Sequence, residues 1–214
     1  MMWSTFKKII IFLGAFIFLC FYPGYTQNKY EKNIERYKTF WNRLIPSHTK
    51  IQFAGSMGLI SIGPGWDYGK KQKWESDILI GFVPKYSSSK AKMTFTFKQN
   101  FIPWNKKISN YFSFNPLTTS IYLNSVLNNK FWNKNPERYP KGYYTFSTKI
   151  RINLSLGQRL SFNIQEAQRK KIKAFSIFYE LGTNDIYLIS KLNNKYLKAK
   201  DYLGLSFGIK IQIL

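Results

Sequence analysis

Apolar and polar residues alternate along the chain from about residue 48 to residue 214, a period of two that is typical of β-strands with two unlike faces. The clearest strand is 202–214, where the odd positions from 203 onward are Leu, Leu, Phe, Ile, Ile and Ile and the even ones are small, polar or basic. Residues 144–156 repeat this pattern. Shorter runs predict further strands at about 50–63, 74–86, 90–102 and 171–182.

Alternating strands without long helical segments between them predict an all-β fold. We expect an antiparallel up-and-down transmembrane β-barrel over residues 48–214, and the even strand numbers of bacterial barrels favour about eight strands. The last strand is then expected to close against the first, which leaves no free edge.

Two architectures fit the alternation, because a soluble barrel points its apolar face inward and a membrane barrel points it outward. The apolar faces carry large Phe, Ile and Leu, whereas the other faces mix Gly and Ser with Lys, Arg and Glu. The runs also approach the ~9–11 residues that a strand needs to cross a bilayer. These features favour the membrane barrel, with a soluble periplasmic binding β-domain as the alternative.

Residues 1–26 have the pattern of a signal peptide. Lys7 and Lys8 form a basic start, residues 9–21 are an uninterrupted apolar run, and Gly24 follows it. An uncleaved anchor is the alternative, although the apolar run is short for a membrane span. The only cysteine, Cys20, lies in this segment, so the exported chain is expected to hold no thiol. Export of a β-barrel predicts the outer membrane of a Gram-negative bacterium as its location.

Residues 27–47 form a separate N-terminal segment with helical spacing. Its apolar residues recur at intervals of four and three: Tyr30, Ile34, Tyr37, Trp41 and Leu44. Lys, Glu, Arg and Asn occupy the other face, and Pro46 ends the pattern. An amphipathic helix of this kind either lies on a membrane surface or packs on the rim of the barrel, and a plain linker is the third interpretation.

The chain is strongly basic, with 33 Lys and Arg against 10 Asp and Glu and a formal net charge of +23. Such a charge suits nucleic acid and anionic membranes equally well. Because the chain is predicted to be exported, nucleic acid is not an expected partner. The expected partners are outer-membrane lipids, both lipopolysaccharide and phospholipid, and the barrel assembly machinery. No cofactor is expected.

A ten-residue unit occurs twice, at 121–130 and at 186–195, with eight of the ten positions identical. Each copy precedes one of the two clearest strands, so equivalent copies point the same way along the barrel. Two equivalent membrane strands would break the antiparallel order. We therefore predict a loop with a short helical turn at each copy, with Ser120 and Asp185 as the N-caps.

Two groups of residues are candidates for binding. Trp66, Asp67 and Tyr68 lie in a Gly- and Pro-rich stretch, 63–70, which predicts either a turn with an aromatic residue at the membrane interface or a ligand-binding loop. Glu180 is predicted to face the lumen within a paired set of charges, because buried charges must be paired. The other members of that set are Glu75, Asp77, Lys92, Lys98, Lys149, Arg151 and Lys210. Asp185 completes the candidate binding residues.

The single histidine, His48, comes just before the first strand. It is either a histidine at the barrel rim or the base for a nucleophile such as Ser56. One histidine and no exported cysteine argue against a zinc site, so no metal is predicted.

The order of these segments, a signal peptide, an amphipathic helix and a barrel that ends in a strand, resembles the small outer-membrane barrel proteins of Gram-negative bacteria. A surface helix followed by a barrel is similar to the lipid A palmitoyltransferases, whereas the His-Ser-Asn signature of the lipid A deacylase barrels is absent. The resemblance implies either an integral barrel with a structural or interaction role or a barrel enzyme that modifies lipid A or phospholipid. Whether the chain is an enzyme stays open.

Overall fold

The structure, a computed structural model, describes residues 25–85, 91–127, 150–194 and 196–213. The helices are α1 (Tyr25–Leu44), α2 (Asp185–Asn193) and α3 (Ala199–Tyr202), with 3₁₀ turns at Lys70–Gln72 and Glu166–Gln168. The strands are β1 (His48–Ala54), β2 (Ile60–Tyr68), β3 (Trp74–Val83), β4 (Lys92–Phe101), β5 (Lys106–Lys107), β6 (Phe112–Leu127), β7 (Ile150–Asn163), β8 (Ala174–Asn184) and β9 (Gly204–Gln212).

Helix α1 belongs to a unit of its own that ends at Ile45, and the strands belong to a second unit from Pro46 onward. The helix confirms the predicted helical spacing. Its apolar side chains are solvent-exposed, with Tyr37 at 65% and Trp41 at 52%, and their two rings meet edge to face with centroids 5.9 Å apart. In the described part of the chain, the helices are all too short or too polar to cross a membrane.

The strands form a closed barrel. Each strand pairs antiparallel with the next along the chain, except that β4 pairs directly with β6. Strand β9 pairs with the whole length of β1, from Gln212 opposite His48 to Ser206 opposite Ala54. The two residues of β5 only extend the start of β6. The fold is therefore the predicted all-β, eight-stranded antiparallel barrel, and its last strand closes against the first.

The single predicted strand at 50–63 is wrong, because the chain reverses inside it. β1 ends at Ala54 and β2 begins at Ile60. The reversal between them uses positive φ angles at Ala54, Gly55, Ser56 and Gly58. A side chain at Gly58 would also press on the backbone of Phe82, so glycine is needed there for both reasons.

The predicted turn at 63–70 is also corrected, since residues up to Tyr68 continue β2 and only Gly69 to Gln72 turn. Close packing against β3 explains why β2 contains a glycine at position 63. A Cβ at Gly63 would collide with the backbone of Ile78 on β3, so the two strands approach each other closely there.

The two copies of the repeated unit adopt different structures. Residues 186–193 lie in α2, as predicted, but the N-cap is Asn184, whose side chain accepts a hydrogen bond from the backbone N–H of Tyr187. Residues 121–127 continue β6, so the predicted loop and the cap at Ser120 are wrong. The first copy forms a strand because β6 is hydrogen-bonded along this stretch to β4 on one side and to β7 on the other.

The barrel wall is polar inside and apolar outside, the reverse of a barrel that folds around an oily core. Its buried apolar cluster holds only Met57, Leu79 and Tyr122 among the described residues. Lys50 and Lys98 are fully buried, whereas Phe207 is 53% exposed. The outward apolar side chains include Phe53, Ile62, Ile80, Phe82, Phe95, Phe97, Ile121, Leu123, Leu154, Leu156, Ile177, Leu181, Leu205, Phe207 and Ile209.

The barrel has two ends, which we name the His48 end, where β1 begins, and the Met57 end, where β1 turns into β2. The connections 69–73, 102–111 and 164–173 lie at the His48 end. At the Met57 end β1 is followed by β2, β3 by β4, β6 by β7 and β8 by β9, and the last two pairs of strands are the furthest apart in the sequence. The residues 128–149, with the start of the predicted strand 144–156, lie outside the described residues, as do residues 1–24 and the predicted signal peptide almost entirely.

Candidate functional site

A network of ion pairs fills the half of the barrel nearest the His48 end. Glu75 on β3 is its centre, 2% exposed and in contact with three cations. Arg159 on β7 donates to both of its carboxylate oxygens, to Oε2 at 2.9 Å. Lys210 on β9 lies 2.6 Å from Oε1, and Lys50 on β1 lies 3.1 Å from Oε2. One carboxylate therefore ties together four strands that are far apart in the sequence.

Two further carboxylates balance these cations. Lys50 donates to Asp77 at 2.5 Å, and Lys210 donates to Asp67 at 2.8 Å. The acids and the permanent cations are therefore equal in number around this centre. We call this set the Glu75 cluster: His48, Lys50, Asp67, Glu75, Asp77, Arg159 and Lys210.

His48 lies between two carboxylates and is fully buried, so it is an interior residue and not one exposed at the rim. Its Nε2 is 2.8 Å from Asp77, and its Nδ1 is 3.1 Å from Asp67. Gly65 on β2 makes room for this contact, because a Cβ there would collide with both His48 and Asp77.

A second group of polar side chains lies further toward the Met57 end. Lys98 on β4 donates to Glu180 on β8 at 2.5 Å, and Gln52 on β1 donates to the same carboxylate oxygen at 3.1 Å. Ser206 and Ser155 complete the set through contacts with Gln52 and Glu180. We call these five residues the Glu180 cluster. It confirms the prediction that Glu180 is a buried, paired charge of the lumen.

The ring of Phe178 separates the two clusters. Its centroid lies 5.6 Å from Nζ of Lys50 and 5.9 Å from Nζ of Lys98, and Arg159 approaches it at the same 5.9 Å. Cations at this distance from an aromatic face are attracted to it. Gly208 lies beside Phe178 on the neighbouring strand β9 and leaves space for the ring, since a Cβ at Gly208 would clash with it.

A cavity of about 530 Å³ opens at the His48 end, and four members of the Glu75 cluster line it: Asp67, Glu75, Arg159 and Lys210. Serine and asparagine side chains from β6, β7 and β8 form much of its wall: Ser113, Asn115, Ser161, Asn163 and Ser176. Its mouth carries basic residues from three connections: Lys71, Lys73, Lys106, Arg169 and Lys173. We call this cavity the basic vestibule.

The structure separates the five residues predicted to bind a ligand. Asp67 joins the Glu75 cluster, and Glu180 lies in the other cluster. Tyr68 is exposed on the outer wall, where its hydroxyl donates to Gln99 at 2.9 Å. Trp66 precedes Asp67 on β2, so its side chain points outward, and it is half-buried.

The fifth predicted residue, Asp185, is at the Met57 end at the start of α2, 3.8 Å from Arg151. Of the other predicted lumen charges, Lys92 is half-buried at the first residue of β4, and Lys149 lies outside the described residues. Lys98 and Lys210 are buried and paired as expected. The sequence interpretation missed Lys50 and Arg159.

A catalytic pair of His48 and Ser56 is excluded by the fold, because Ser56 lies in the turn at the opposite end of β1. Ser47 is the hydroxyl that the structure does bring to the histidine, with Oγ 3.2 Å from Nδ1. That oxygen also contacts the carbonyl of Gly65 and accepts the backbone N–H of Asp67 at 2.8 Å. Because the histidine sits between two acids and the hydroxyl is engaged by the backbone, this arrangement suits structural bonding better than nucleophilic attack.

His48, Glu75 and Asp77 also bring one ligand atom each within 4.8 Å of one another. The same carboxylates face Lys50, Arg159 and Lys210, whose positive charges would repel a metal ion. The donor set is therefore better suited to internal ion pairing than to a divalent cation.

Glu180 provides a first test of this interior. Replacing it with leucine leaves Lys98 buried without a counter-charge, so we expect a loss of roughly 3–5 kcal/mol in the free energy of unfolding. Urea unfolding in detergent, followed by tryptophan fluorescence, measures the loss. Glu166→Leu is the control, because that side chain is 89% exposed and its ion pair with Arg169 lies at the surface. An unchanged unfolding midpoint for Glu180→Leu would contradict the assignment of buried pairing.

Comparison with known proteins gives no match to any protein family, to any curated protein or to any solved structure.

Proposed function

We propose that this protein is an integral β-barrel of the outer membrane of a Gram-negative bacterium, with a structural or interaction role and a lumen closed by ion pairs. The observation that carries the proposal is the inverted barrel wall: aliphatic and aromatic side chains face outward, and paired charges fill the inside. In water, this outer surface would expose far more contiguous apolar area than soluble monomers tolerate. In a bilayer it meets hydrocarbon.

The size of the apolar surface supports the proposal. Along β9 and the one residue on either side of it, the outward side chains run from Leu203 to Ile213, about 33 Å of chain at ~3.3 Å per residue. For strands tilted by about 40°, this corresponds to roughly 25 Å along the barrel axis, the height of the apolar band in outer-membrane barrels.

Aromatic residues near the His48 end support it further. They include Trp66, Tyr68, Trp74, Phe101, Tyr111, Phe112 and Phe162. Two pairs are in contact across neighbouring strands, Trp74 with Phe101 and Phe112 with Phe162, with ring centroids 4.6 Å and 4.9 Å apart. Membrane barrels carry such girdles where the bilayer meets water. This agrees with the interpretation of Trp66 and Tyr68 as interfacial aromatic residues.

The connections favour one orientation. Outer-membrane barrels have short periplasmic turns and longer external loops. The consecutive strands that are furthest apart in the sequence, β6 with β7 and β8 with β9, follow each other at the Met57 end. We therefore orient the Met57 end outward and the His48 end toward the periplasm. Helix α1, with Tyr37 and Trp41 exposed beside basic residues, is proposed to lie on the membrane surface.

The closed interior favours a structural role over transport. Gln52 and Lys98 cross-link opposite parts of the wall, and Met57 at the Met57 end is fully buried. Tyr122 donates to the carbonyl of Gly55 and so holds the first hairpin turn against β6. These contacts cross the lumen and occupy its Met57 end, whereas a porin keeps an open channel.

Membrane fractionation tests the proposal. We expect the protein to stay in the outer-membrane fraction after washing with sodium carbonate and to leave it only in detergent. We also expect it to migrate faster in unboiled gel samples than in boiled ones, because paired strands resist detergent. Recovery in the detergent-free soluble fraction would support a periplasmic binding domain instead.

The enzymatic alternative needs its own measurement, because fractionation treats an enzyme and a structural barrel alike. Mass spectrometry of lipid A and of phospholipids compares cells with and without the gene. Identical acyl patterns are expected for a structural barrel. A change in acylation would support a lipid-modifying enzyme and contradict the proposed role.

A further inference from the structure

The charge of the basic vestibule differs from that of the interior beneath it. The buried acids Asp67, Glu75, Asp77 and Glu180 are paired with Lys50, Lys98, Arg159 and Lys210, so the interior charges cancel. Among the described residues that line the vestibule, the only acids are Asp67 and Glu75, and both are used in this pairing. Of the five basic residues of the mouth, Arg169 pairs with Glu166, and the other four are in excess of the acids that line the cavity.

The basic residues of the mouth converge from separate parts of the chain. Lys71 and Lys73 come from the β2–β3 connection, Lys106 from β5, and Arg169 and Lys173 from the β7–β8 connection. Like charges repel, so bringing them around one opening costs free energy unless an anion or solvent compensates it. Of these five, Arg169 has an acidic partner, Glu166 at 3.3 Å, and that acid does not line the cavity.

The wall beneath the mouth offers neutral hydrogen-bonding groups. Ser176 donates to Ser161 at 2.8 Å, and Asn163 donates to Ser113 at 3.3 Å, which leaves hydroxyl and amide oxygens that can still accept. Trp104 lines the same cavity and is 56% exposed, so its ring presents a flat apolar face at the rim. Hydroxyl and amide groups beside an exposed indole suit a polyol or a sugar ring.

The geometry points to a binding site: we propose that the basic vestibule binds a phosphorylated polyol or sugar. The phosphate lies among Lys73, Lys106 and Lys173, where lysine provides point charges for it. The hydroxyl groups face the serine and asparagine wall. The volume of about 530 Å³ is within the range of ligand sites, ~300–1,000 Å³. This inference depends on the barrel alone and stands whether or not the membrane proposal holds.

Calorimetric titration of the full chain in a non-ionic detergent tests the site, with glucose 6-phosphate, glucose and inorganic phosphate as probes. We expect glucose 6-phosphate to bind at least about tenfold more tightly than either of the other two, because only it uses both the basic mouth and the polar wall. Its affinity should fall as salt rises, since the mouth is exposed. The absence of binding would overturn the proposal, and equal binding of inorganic phosphate would overturn its sugar part.

Matched lysine variants locate the bound phosphate. Lys106→Gln and Lys173→Gln should each weaken glucose 6-phosphate binding by about tenfold, the size of one charge-assisted hydrogen bond. Lys107→Gln is the control, because Lys107 is the neighbouring residue on β5 and does not line the cavity. Equal weakening by Lys107→Gln would show that only the overall charge matters and would overturn the site. Unchanged circular dichroism confirms that each variant is folded.

Free sugar phosphates and lipid headgroups share this chemistry, and a competition experiment separates the two sources. The protein is placed in nanodiscs of phosphatidylcholine with or without phosphatidylglycerol, whose headgroup is a phosphorylated glycerol. If phosphatidylglycerol abolishes glucose 6-phosphate binding, the natural ligand is a lipid headgroup. If binding is unchanged, the natural ligand is a soluble phosphate ester. Both outcomes support the site.

Discussion

Replacing Glu75 with glutamine is expected to destabilise the barrel by roughly 3–5 kcal/mol, because a buried charge removed from a network leaves its partners uncompensated. Glu75 is 2% exposed and is shared by Lys50, Arg159 and Lys210. Glutamine keeps the size and one acceptor oxygen, so packing changes little. The amide also brings an N–H group toward cations that require an acceptor. Urea unfolding in detergent or lipid vesicles, followed by tryptophan fluorescence, measures the difference.

Two further variants serve as controls for the Glu75→Gln measurement. Glu166→Gln removes an acid whose side chain is 89% exposed, and the unfolding midpoint should not change, because surface ion pairs contribute little. Adding Lys210→Met to Glu75→Gln should recover part of the lost stability, since the second change again makes the acids and the permanent cations of the Glu75 cluster equal in number. If Glu75→Gln unfolds at the same urea concentration as the original protein, the Glu75 cluster does not hold the barrel together.

The period of two correctly divided the side chains of a strand between two faces, and the mixture of small and charged residues on one face indicated that this face points inward. Leu205, Phe207 and Ile209 are outside, and Ser206 and Lys210 are inside, as the alternation in 202–214 indicated. Glu75, Asp77, Glu180, Lys98 and Lys210 were likewise predicted inside, and all five are buried. Side chains alternate strictly along a strand, so this inference needs no knowledge of the neighbouring strands.

Strand boundaries were predicted less well, because local signals and tertiary contacts conflict. Gly63, Pro64 and Gly65 are turn formers in isolation, yet β2 continues through them to keep the backbone close to β3 and to make room for His48. The repeated unit shows the same conflict. Nearly identical segments form a strand where β4 and β7 flank them, and a helix where Asn184 caps them.

The pairing partners of the buried charges could not be predicted from the sequence, because only barrel closure brings these residues together. Lys98 and Glu180 are 82 residues apart, and Arg159 and Glu75 are 84 apart. Arg159 had a usable signal, since the alternation of 144–156 continues through Ser161 on the same inward face. The basic vestibule had no comparable signal in the sequence, because its mouth combines three connections that lie far apart in the chain.

The second large effect is expected on the outer wall, where arginine at Phe207 or Ile209 should cost roughly 2–4 kcal/mol if the barrel lies in a bilayer. Both side chains are outward on β9 and about half exposed, at 53% and 45%. At mid-depth a guanidinium would meet hydrocarbon with no partner. Arginine at Leu203 or Ile213, near the two ends of the same row, should cost much less, because the charge can reach the interface. Folding into lipid vesicles, titrated with urea, gives the profile.

Phe207→Leu is the matched control for the arginine scan, since it shortens the same side chain without adding charge and should leave the unfolding midpoint nearly unchanged. A second measurement uses single cysteines at the same positions in a Cys20→Ser background, so that no native thiol interferes. A lipid-soluble thiol reagent should label positions 207 and 209, and a water-soluble reagent should label 203 or 213 in preference to them.

A soluble barrel makes the opposite prediction for every one of these variants. With water outside, Phe207→Arg would replace an exposed ring by a charge, and the protein would become more soluble with little or no loss of stability. The depth of the substitution would then not matter, and a water-soluble reagent would label all four positions alike. The depth dependence of the cost is therefore the decisive quantity. In a bilayer, arginine lowers the free energy of unfolding most at the centre of the apolar band and little near its edges. In water, the position of the arginine makes no difference.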